Sequence, residues 1–304
     1  MIWMNHTIPT VSVKNLHKSF GKTVAVADVT FDVMPGEVFG LLGPNGAGKT
    51  TAIRVILDIF KPDSGTIEVL GKPMSSDTRD RIGYMPEERG LYPYMKVLDC
   101  LVYLGRLKGM AKNDAKQRAE YYLEMLGLAD EAKNKIETLS RGMTQKVQVI
   151  AAVVHAPDLL IVDEPFANLD PINAQLVRKI IMELRSQNKS VIMTSHQLNF
   201  VETMCDRIAL IHDGVVVLEG SVADVRRQFA SDVVYLTGVG EIGELDGVLE
   251  IEQRTATEWH LRLHSDTDPH HVIQTIIATG QFRVDRFSVA MPTLDEIFVR
   301  VVQQ

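Results

Sequence analysis

Three clusters of residues combine types and spacing that could do chemistry. Gly43-Pro44-Asn45-Gly46-Ala47-Gly48-Lys49-Thr50 fits the pattern Gly-x-x-x-x-Gly-Lys-Ser/Thr, with an apolar run at 38–42 before it and a helical pattern at 51–60 after it. In that context glycines let backbone N–H groups wrap a phosphate, and the helix N-terminus adds partial positive charge. Lys49 is expected to contact the β- and γ-phosphates of a nucleotide, and Thr50 to ligate Mg²⁺.

The second cluster, Asp163-Glu164-Pro165, closes the apolar run 159–162. In an open α/β sheet the C-terminal strand edge is where ligands bind. Two adjacent carboxylates there can divide the labour: Asp163 holds a metal through its water shell, and Glu164 is the general base for an attacking water. The third cluster is Leu139-Ser140-Arg141-Gly142-Met143-Thr144-Gln145-Lys146. Ser140 is placed to cap the helix that ends before Pro157, and that helix N-terminus offers a second anion site.

The elements that must position these groups are readable from periodicity. Short β-type runs recur at 10–13, 24–33, 38–42, 66–70, 159–162, 190–194, 208–211 and 215–218. Several are almost wholly apolar, as strands covered on both faces of a parallel sheet should be. The last two flank His212-Asp213-Gly214 and read as a hairpin. Between Met95 and His155 the period becomes helical. Leu98, Leu101, Val102 and Gly105 share one face, Tyr121, Met125 and Leu128 another, and Val147, Ile150, Ala151 and Val154 a third. This predicts a helical insertion, at about 88–156, in an α/β domain.

A composition shift marks a boundary near residue 222. From Ala223 onward there are 13 acids, 7 arginines and no lysine, a net −6 in 82 residues against −1 upstream. That carboxy-terminal region, 223–304, reads as a small α+β domain. Strands are expected at 233–236, 248–252, 259–263 and 282–288, and helices at 270–279 and 294–301. Its histidines, His260, His264, His270 and His271, lack the carboxylates or cysteines of a usual metal spacing.

The whole chain has 304 residues, 45% of them hydrophobic and 23% charged, which excludes a disordered or low-complexity polymer. No apolar run approaches the ~18–20 residues of a bilayer span. Met1 to Thr10 lacks the basic start and apolar centre of a signal peptide. Cys100 and Cys205 build no disulfide framework. The net charge of −7 argues against a nucleic-acid surface, so no nucleic-acid partner is expected.

Over residues 11–220 the chain resembles the nucleotide-binding subunit of an ABC transporter. The motifs stand in the family order: phosphate loop, Leu139 to Met143 in place of the signature, the Asp163-Glu164 strand, Asn168-Leu169-Asp170, then His196. The resemblance implies an α/β fold, a P-loop NTPase core of the ABC ATPase type with a helical insertion, over residues 1–222. It implies ATP and Mg²⁺ as ligands, with Gly43, Pro44, Asn45, Gly46, Ala47, Gly48, Lys49, Thr50 and Thr51 around the phosphates. Phe20 would stack on adenine and His196 would touch the γ-phosphate. Ser140 and Gly142 would complete the ATP site of the opposite subunit, with Asp170 in the loop that couples opposed sites. A head-to-tail homodimer with ATP at its interface follows. So does ATP hydrolysis that energises a separate multi-span membrane permease, docked around residues 87–95. The chain itself would be cytoplasmic, peripheral on the inner face of the membrane.

Two departures stand out. Glu87 occupies a position where many family members carry glutamine, and puts negative charge beside the phosphates and Mg²⁺. The signature reads Leu-Ser-Arg-Gly-Met, keeping Ser140 and Gly142 and losing the first glycine and the glutamine. Together with Glu87-Glu88-Arg89-Gly90-Leu91-Tyr92-Pro93 and the terminal Met291-Pro292-Thr293-Leu294-Asp295-Glu296-Ile297-Phe298, these resemble the branch of sodium- and drug-export ATPase subunits. Export is the implied direction. Two other readings stay open at this point: a soluble ABC ATPase acting on ribosomes or nucleic acid, and a nucleotide-dependent regulator that does not hydrolyse.

Overall fold

A computed structural model describes residues 8–87, 90–229, 232–243, 245–264 and 266–302. Glu88 and Arg89 of the expected docking loop lie outside the described residues, as does most of the amino-terminal segment read for a targeting signal. The chain divides into two units, Met1–Val222 and Ala223–Gln304.

In chain order the strands of the first unit are β1 (Val11–Phe20), β2 (Thr23–Val33), β3 (Val38–Leu42), β4 (Ser64–Val69), β5 (Ile82–Met85), β6 (Leu159–Asp163), β7 (Ser190–Thr194), β8 (Arg207–His212) and β9 (Val215–Ser221). The helices are α1 (Lys49–Ile56), α2 (Ser76–Asp80), α3 (Val97–Leu107), α4 (Lys112–Met125), α5 (Arg141–Val153), α6 (Pro171–Ser186) and α7 (Leu198–Met204), and α8 (Val222–Gln228) begins at the last residue of this unit and belongs otherwise to the second. The nine strands form one sheet in the order β4-β1-β2-β9-β8-β3-β7-β6-β5. The block β8-β3-β7-β6-β5 is parallel throughout. Its strands β3, β6 and β7 are buried at every residue, the reason their sequences carry no polar alternation. The hairpin expected around His212-Asp213-Gly214 is present as antiparallel β8 and β9.

The antiparallel edge β4-β1-β2 packs its apolar faces with α1 over the parallel block. Leu16, Phe31, Phe39, Ile53 and Ile56 are central there, and Phe31 stacks on Phe39 at 5.2 Å. The strand expected at 10–13 instead runs to Phe20. An irregularity at Asn15, φ +49°, breaks the alternation that would otherwise have revealed its length.

The helical insertion consists of α3, α4 and α5. In α4 the buried stripe is Ala115, Ala119, Tyr122 and Leu123. Tyr121 is 52% exposed, so the face predicted through Tyr121 is corrected. Tyr121 and Tyr122 are one helical step apart, about 100°, and only the contacts of α4 with its neighbours select between them. Leu128 is buried for a different reason, since Gly127 at φ +64° ends the helix and turns the chain back inward. On α3 the buried face is Val97, Cys100, Leu101 and Gly105, with Leu98 and Val102 only half-buried. Helix α5 is buried around most of its circumference and lies directly on the sheet: a Cβ on Gly83 of β5 would meet the Ala152 carbonyl at 2.1 Å.

In the second unit β10 (Val233–Gly240), β11 (Val248–Gln253), β12 (Glu258–Leu263) and β13 (Phe282–Val289) form an antiparallel sheet in the order β11-β12-β10-β13. Helices α9 (Pro269–Thr279) and α10 (Leu294–Val302) complete this small α+β unit. Val272 and Ile276 of α9 pack on Val234, Leu236, Leu261 and Leu263. Asp268 caps α9 through the His270 amide at 3.0 Å, and Gly280 at φ +65° terminates it. Among the described residues no helix is long and apolar enough to cross a membrane.

Candidate functional site

The site is built by four adjacent parallel strands, β3, β7, β6 and β5, whose carboxyl ends open on one edge. β3 leads into the phosphate loop, β7 into His196, β6 into Asp163-Glu164, and β5 into Glu87. The cleft at this edge is lined by Asn45, Gly46, Ala47, Gly48, Lys49, Thr50 and Thr51, together with Glu87, Asp163, Glu164 and His196. Ala25 of β2 also lines it, and no sequence signal marked that residue.

Two glycines make the loop possible. Gly43 has φ +148° and Gly48 φ +107°, and a Cβ would come within 2.2 Å of the Ile211 carbonyl or 2.4 Å of the Ala25 carbonyl. Lys49 closes the curve by donating to the Gly43 carbonyl at 2.7 Å and the Pro44 carbonyl at 3.0 Å. Gly43 and Pro44 thus form the base of the loop. Gly48 is the N-cap of α1, no described side chain caps the helix, and no acid sits in its first turn. Its first amides and dipole end are therefore free of a competing carboxylate, which suits an anion. Burial lowers the pKa of Lys49, while the charges of Glu164, Asp163 and Glu87 oppose that shift.

The carboxylates are held by main-chain and hydroxyl contacts. Thr194 Oγ1 donates to Asp163 Oδ1 and accepts the Glu164 amide at 3.2 Å. Asp163 is 3% exposed, and its Oδ2 has no hydrogen-bond partner among the described residues. Glu164 turns its carboxylate into the cleft by taking φ +53°, a left-handed backbone that costs ~1–3 kcal/mol and persists only where neighbours impose it. His196 Nε2 stands 3.5 Å from Glu164 Oε1. Burial raises the Glu164 pKa, with His196 opposing and Asp163 adding to the rise. A carboxylate so tuned can accept a proton more readily than a solvated one. Gln145 stands in the third sequence cluster and Thr194 closes the expected strand 190–194, but sequence alone assigned neither a role; Gln145 Nε2 donates to the Glu164 carbonyl at 2.8 Å. The available signals were a hydroxyl directly after the apolar run 191–193 and an amide among the buried positions of α5.

The remaining predicted residues lie outside this cleft. Ser140 is exposed and caps α5, its hydroxyl accepting the Met143 amide at 3.3 Å. Gly142 sits two residues on, where a Cβ would be 3.0 Å from the Asn168 carbonyl. Asp170 caps α6, accepting from the Asn173 amide at 2.9 Å, and these hydrogen bonds lower its pKa. Phe20 is 45% exposed, with its ring edge-on to Phe60 at 5.2 Å and the Lys18 ammonium 5.4 Å from its centroid.

Comparison with known proteins follows the same lines. The ABC transporter family model matches residues 26–167, and the model of the ATP-binding protein DrrA1-3-like C-terminal domain matches residues 220–302. The chain is 36% identical to the ABC transporter ATP-binding protein YhaQ of Bacillus subtilis, over 96% of this chain and 98% of the relative. It is 32% identical to the linearmycin resistance ATP-binding protein LnrL of the same organism, over 96% and 97%. It is 33% identical to the Nod factor export ATP-binding protein I of Paraburkholderia xenovorans, over 81% and 82%. A solved ATP-binding subunit of an ABC transporter superposes with a TM-score of 0.69 at 30% identity, covering 72% of this chain and 93% of that one. A dimeric ATP-binding cassette in a post-hydrolysis state with ADP and Pi shares the fold, with a TM-score of 0.64 at 24% identity over 70% and 98%. With the phosphate loop, paired carboxylates and histidine gathered at one sheet edge, the chain belongs to the ATP-binding subunits of ABC transporters and is an ATPase of that family.

Proposed function

We propose that this subunit hydrolyses Mg²⁺-bound ATP in a head-to-tail homodimer and drives a separate multi-span membrane permease in export. The observation that carries this reading is the split of the predicted residues into two groups. Lys49, Glu87, Asp163, Glu164 and His196 line one cleft, whereas Ser140 and Gly142 lie on a half-exposed helix end outside it. A second copy can bring that helix end to the nucleotide, with Asp170 beside the junction.

The residues present fit a divalent cation, because Asp163 Oδ2 is buried without a hydrogen-bond partner among the described residues, and Thr50 and Glu87 line the same cleft. Thr50, Asp163 and Glu87 would hold Mg²⁺, which when bound screens the charge of the phosphate oxygens. The ammonium of Lys49 and the amides opening α1 cradle the phosphates. Phe20 offers its exposed face to the adenine. Glu164 orients the attacking water and takes its proton, with His196 beside the same carboxylate. Loss of the γ-phosphate removes what joins Lys49 and His196 of one chain to Ser140 of the other, so the closed dimer loses its differential stabilisation and opens.

The permease is expected at the groove lined by Tyr84, Pro86, Gly90, Leu91, Leu104 and Leu107, next to the loop after β5. In this reading the chain lies on the cytoplasmic face of the membrane, docked on that permease. Export is favoured by the relatives named for Nod factor export and linearmycin resistance. The test is Glu164→Gln: turnover falls ~10²–10⁴-fold, ATP affinity persists, and the protein sediments as a dimer with ATP. A variant that binds ATP and stays monomeric at all concentrations contradicts the reading. Co-purification with ribosomes in place of a multi-span membrane protein contradicts its transport half.

A further inference from the structure

Gln145 is 7% exposed on α5, lies outside the nucleotide cleft, and donates from Nε2 to the Glu164 carbonyl at 2.8 Å. The Glu164 main chain, at φ +53°, is thus gripped on both sides: its amide by Thr194 at 3.2 Å and its carbonyl by Gln145. The Ala167 amide also donates to that carbonyl, at 3.2 Å. Five residues before Gln145, the same helix begins at the exposed cap Ser140. The separation is about 7–8 Å of regular helix, too short to bend appreciably, so a displacement imposed on Ser140 reaches the Gln145 amide.

We infer that Gln145 is a positioning residue that makes the geometry of Glu164 depend on what Ser140 of the same chain touches. The inference rests on the sandwich dimer proposed above, in which Ser140 serves the partner's ATP and Glu164 its own. Closure of one site then sets the base of the other, through one helix and one hydrogen bond. The contact is specific to the amide: methionine fills the same volume without a donor, and asparagine keeps the amide but falls one methylene short of the carbonyl.

The experiment uses full-length chain carrying Gln145→Met, Gln145→Asn, Ser140→Ala and the double variant Ser140→Ala/Gln145→Met, with ATP as the probe. Both Gln145 variants are expected to lower kcat about 10–100-fold, as a displaced catalytic group does, while calorimetric ATP affinity and KM stay within about twofold. In a Glu164→Gln background, Gln145→Met still forms the ATP-dependent dimer and Ser140→Ala weakens it. The double variant turns over no more slowly than the slower single variant. If Gln145→Met does not fold, the Gln145→Asn arm carries the same comparison. Unchanged kcat in a folded Gln145 variant, a parallel loss of ATP affinity, or multiplicative losses in the double variant overturn the inference. Failure of the dimer reading shows differently, as a Ser140→Ala protein with normal turnover and normal sedimentation.

Discussion

The hydroxyl of Thr194 donates to Asp163 and at the same time accepts the amide of Glu164 at 3.2 Å. One side chain at the end of β7 therefore holds the Asp163 carboxylate and the Glu164 main chain, at the end of β6, against the strand that leads to His196. Thr194→Val keeps the shape and removes both contacts. It leaves a buried carboxylate oxygen and a buried amide unpaired, which costs ~1–3 kcal/mol per group. The expected outcome is a lower Tm together with a kcat loss larger than the loss of ATP affinity. Equal losses in both constants would show that Thr194 does not orient the pair.

The two kinds of glycine in the phosphate loop predict different penalties. Gly43→Ala forces a Cβ to 2.2 Å from the Ile211 carbonyl, so the loop must move and nucleotide binding should be lost. Gly46, at φ +82°, has nothing within 4 Å of its Cβ position. Gly46→Ala should cost only the ~1–2 kcal/mol of left-handed backbone. Calorimetric titration of both variants with ATP checks the order, and equal affinities would contradict it.

Burial raises the Glu164 pKa above the ordinary 4.5, and the sign of the consequence is definite. Below that value both folded and unfolded chains carry a protonated Glu164, and ionisation costs the fold nothing. As pH rises through it the unfolded chain ionises first, so the native state loses stability until its own higher pKa is passed. Glu164→Gln should therefore melt above the wild type at neutral pH, with the gap closing on acidification. A gap that is constant with pH would sink this account. Turnover should show an acid limb above the usual glutamate range.

His155 behaves in the opposite sense. Burial, helped by the nearby Lys108 charge, lowers its pKa from 6.5 to about 4. Its Nε2 lies 3.1 Å from the Ile82 carbonyl and so donates, leaving the buried Nδ1 without a partner among the described residues. Above pH 6.5 the neutral ring is matched in both states. As pH falls toward 4 the unfolded chain takes a proton that the native state refuses, and up to about 3 kcal/mol of stability is lost. His155→Gln retains a donor for Ile82 and does not titrate, so its Tm should fall less steeply between those limits. Parallel melting profiles would contradict the assignment.

The phosphate loop, the strand-end carboxylates, the Ser140 cap and the alternation of β12 were all legible in the sequence. Each is a local object: a backbone that needs glycine at a given dihedral, or an apolar run whose next residue must face a ligand. Tyr121 shows where such reading stops, because two faces of α4 have the same period and only the neighbouring helices choose Tyr122. Thr194 and Gln145 were silent for the same reason. Their partners lie 19 to 31 residues away, and a buried polar side chain acquires meaning only when packing supplies the group it must satisfy. Local chemistry in the chain determined which residues can hold a phosphate, accept a proton or cap a helix. The order β3-β7-β6-β5, set by long-range packing of buried strands, alone decided that they meet at one edge while Ser140 stands apart.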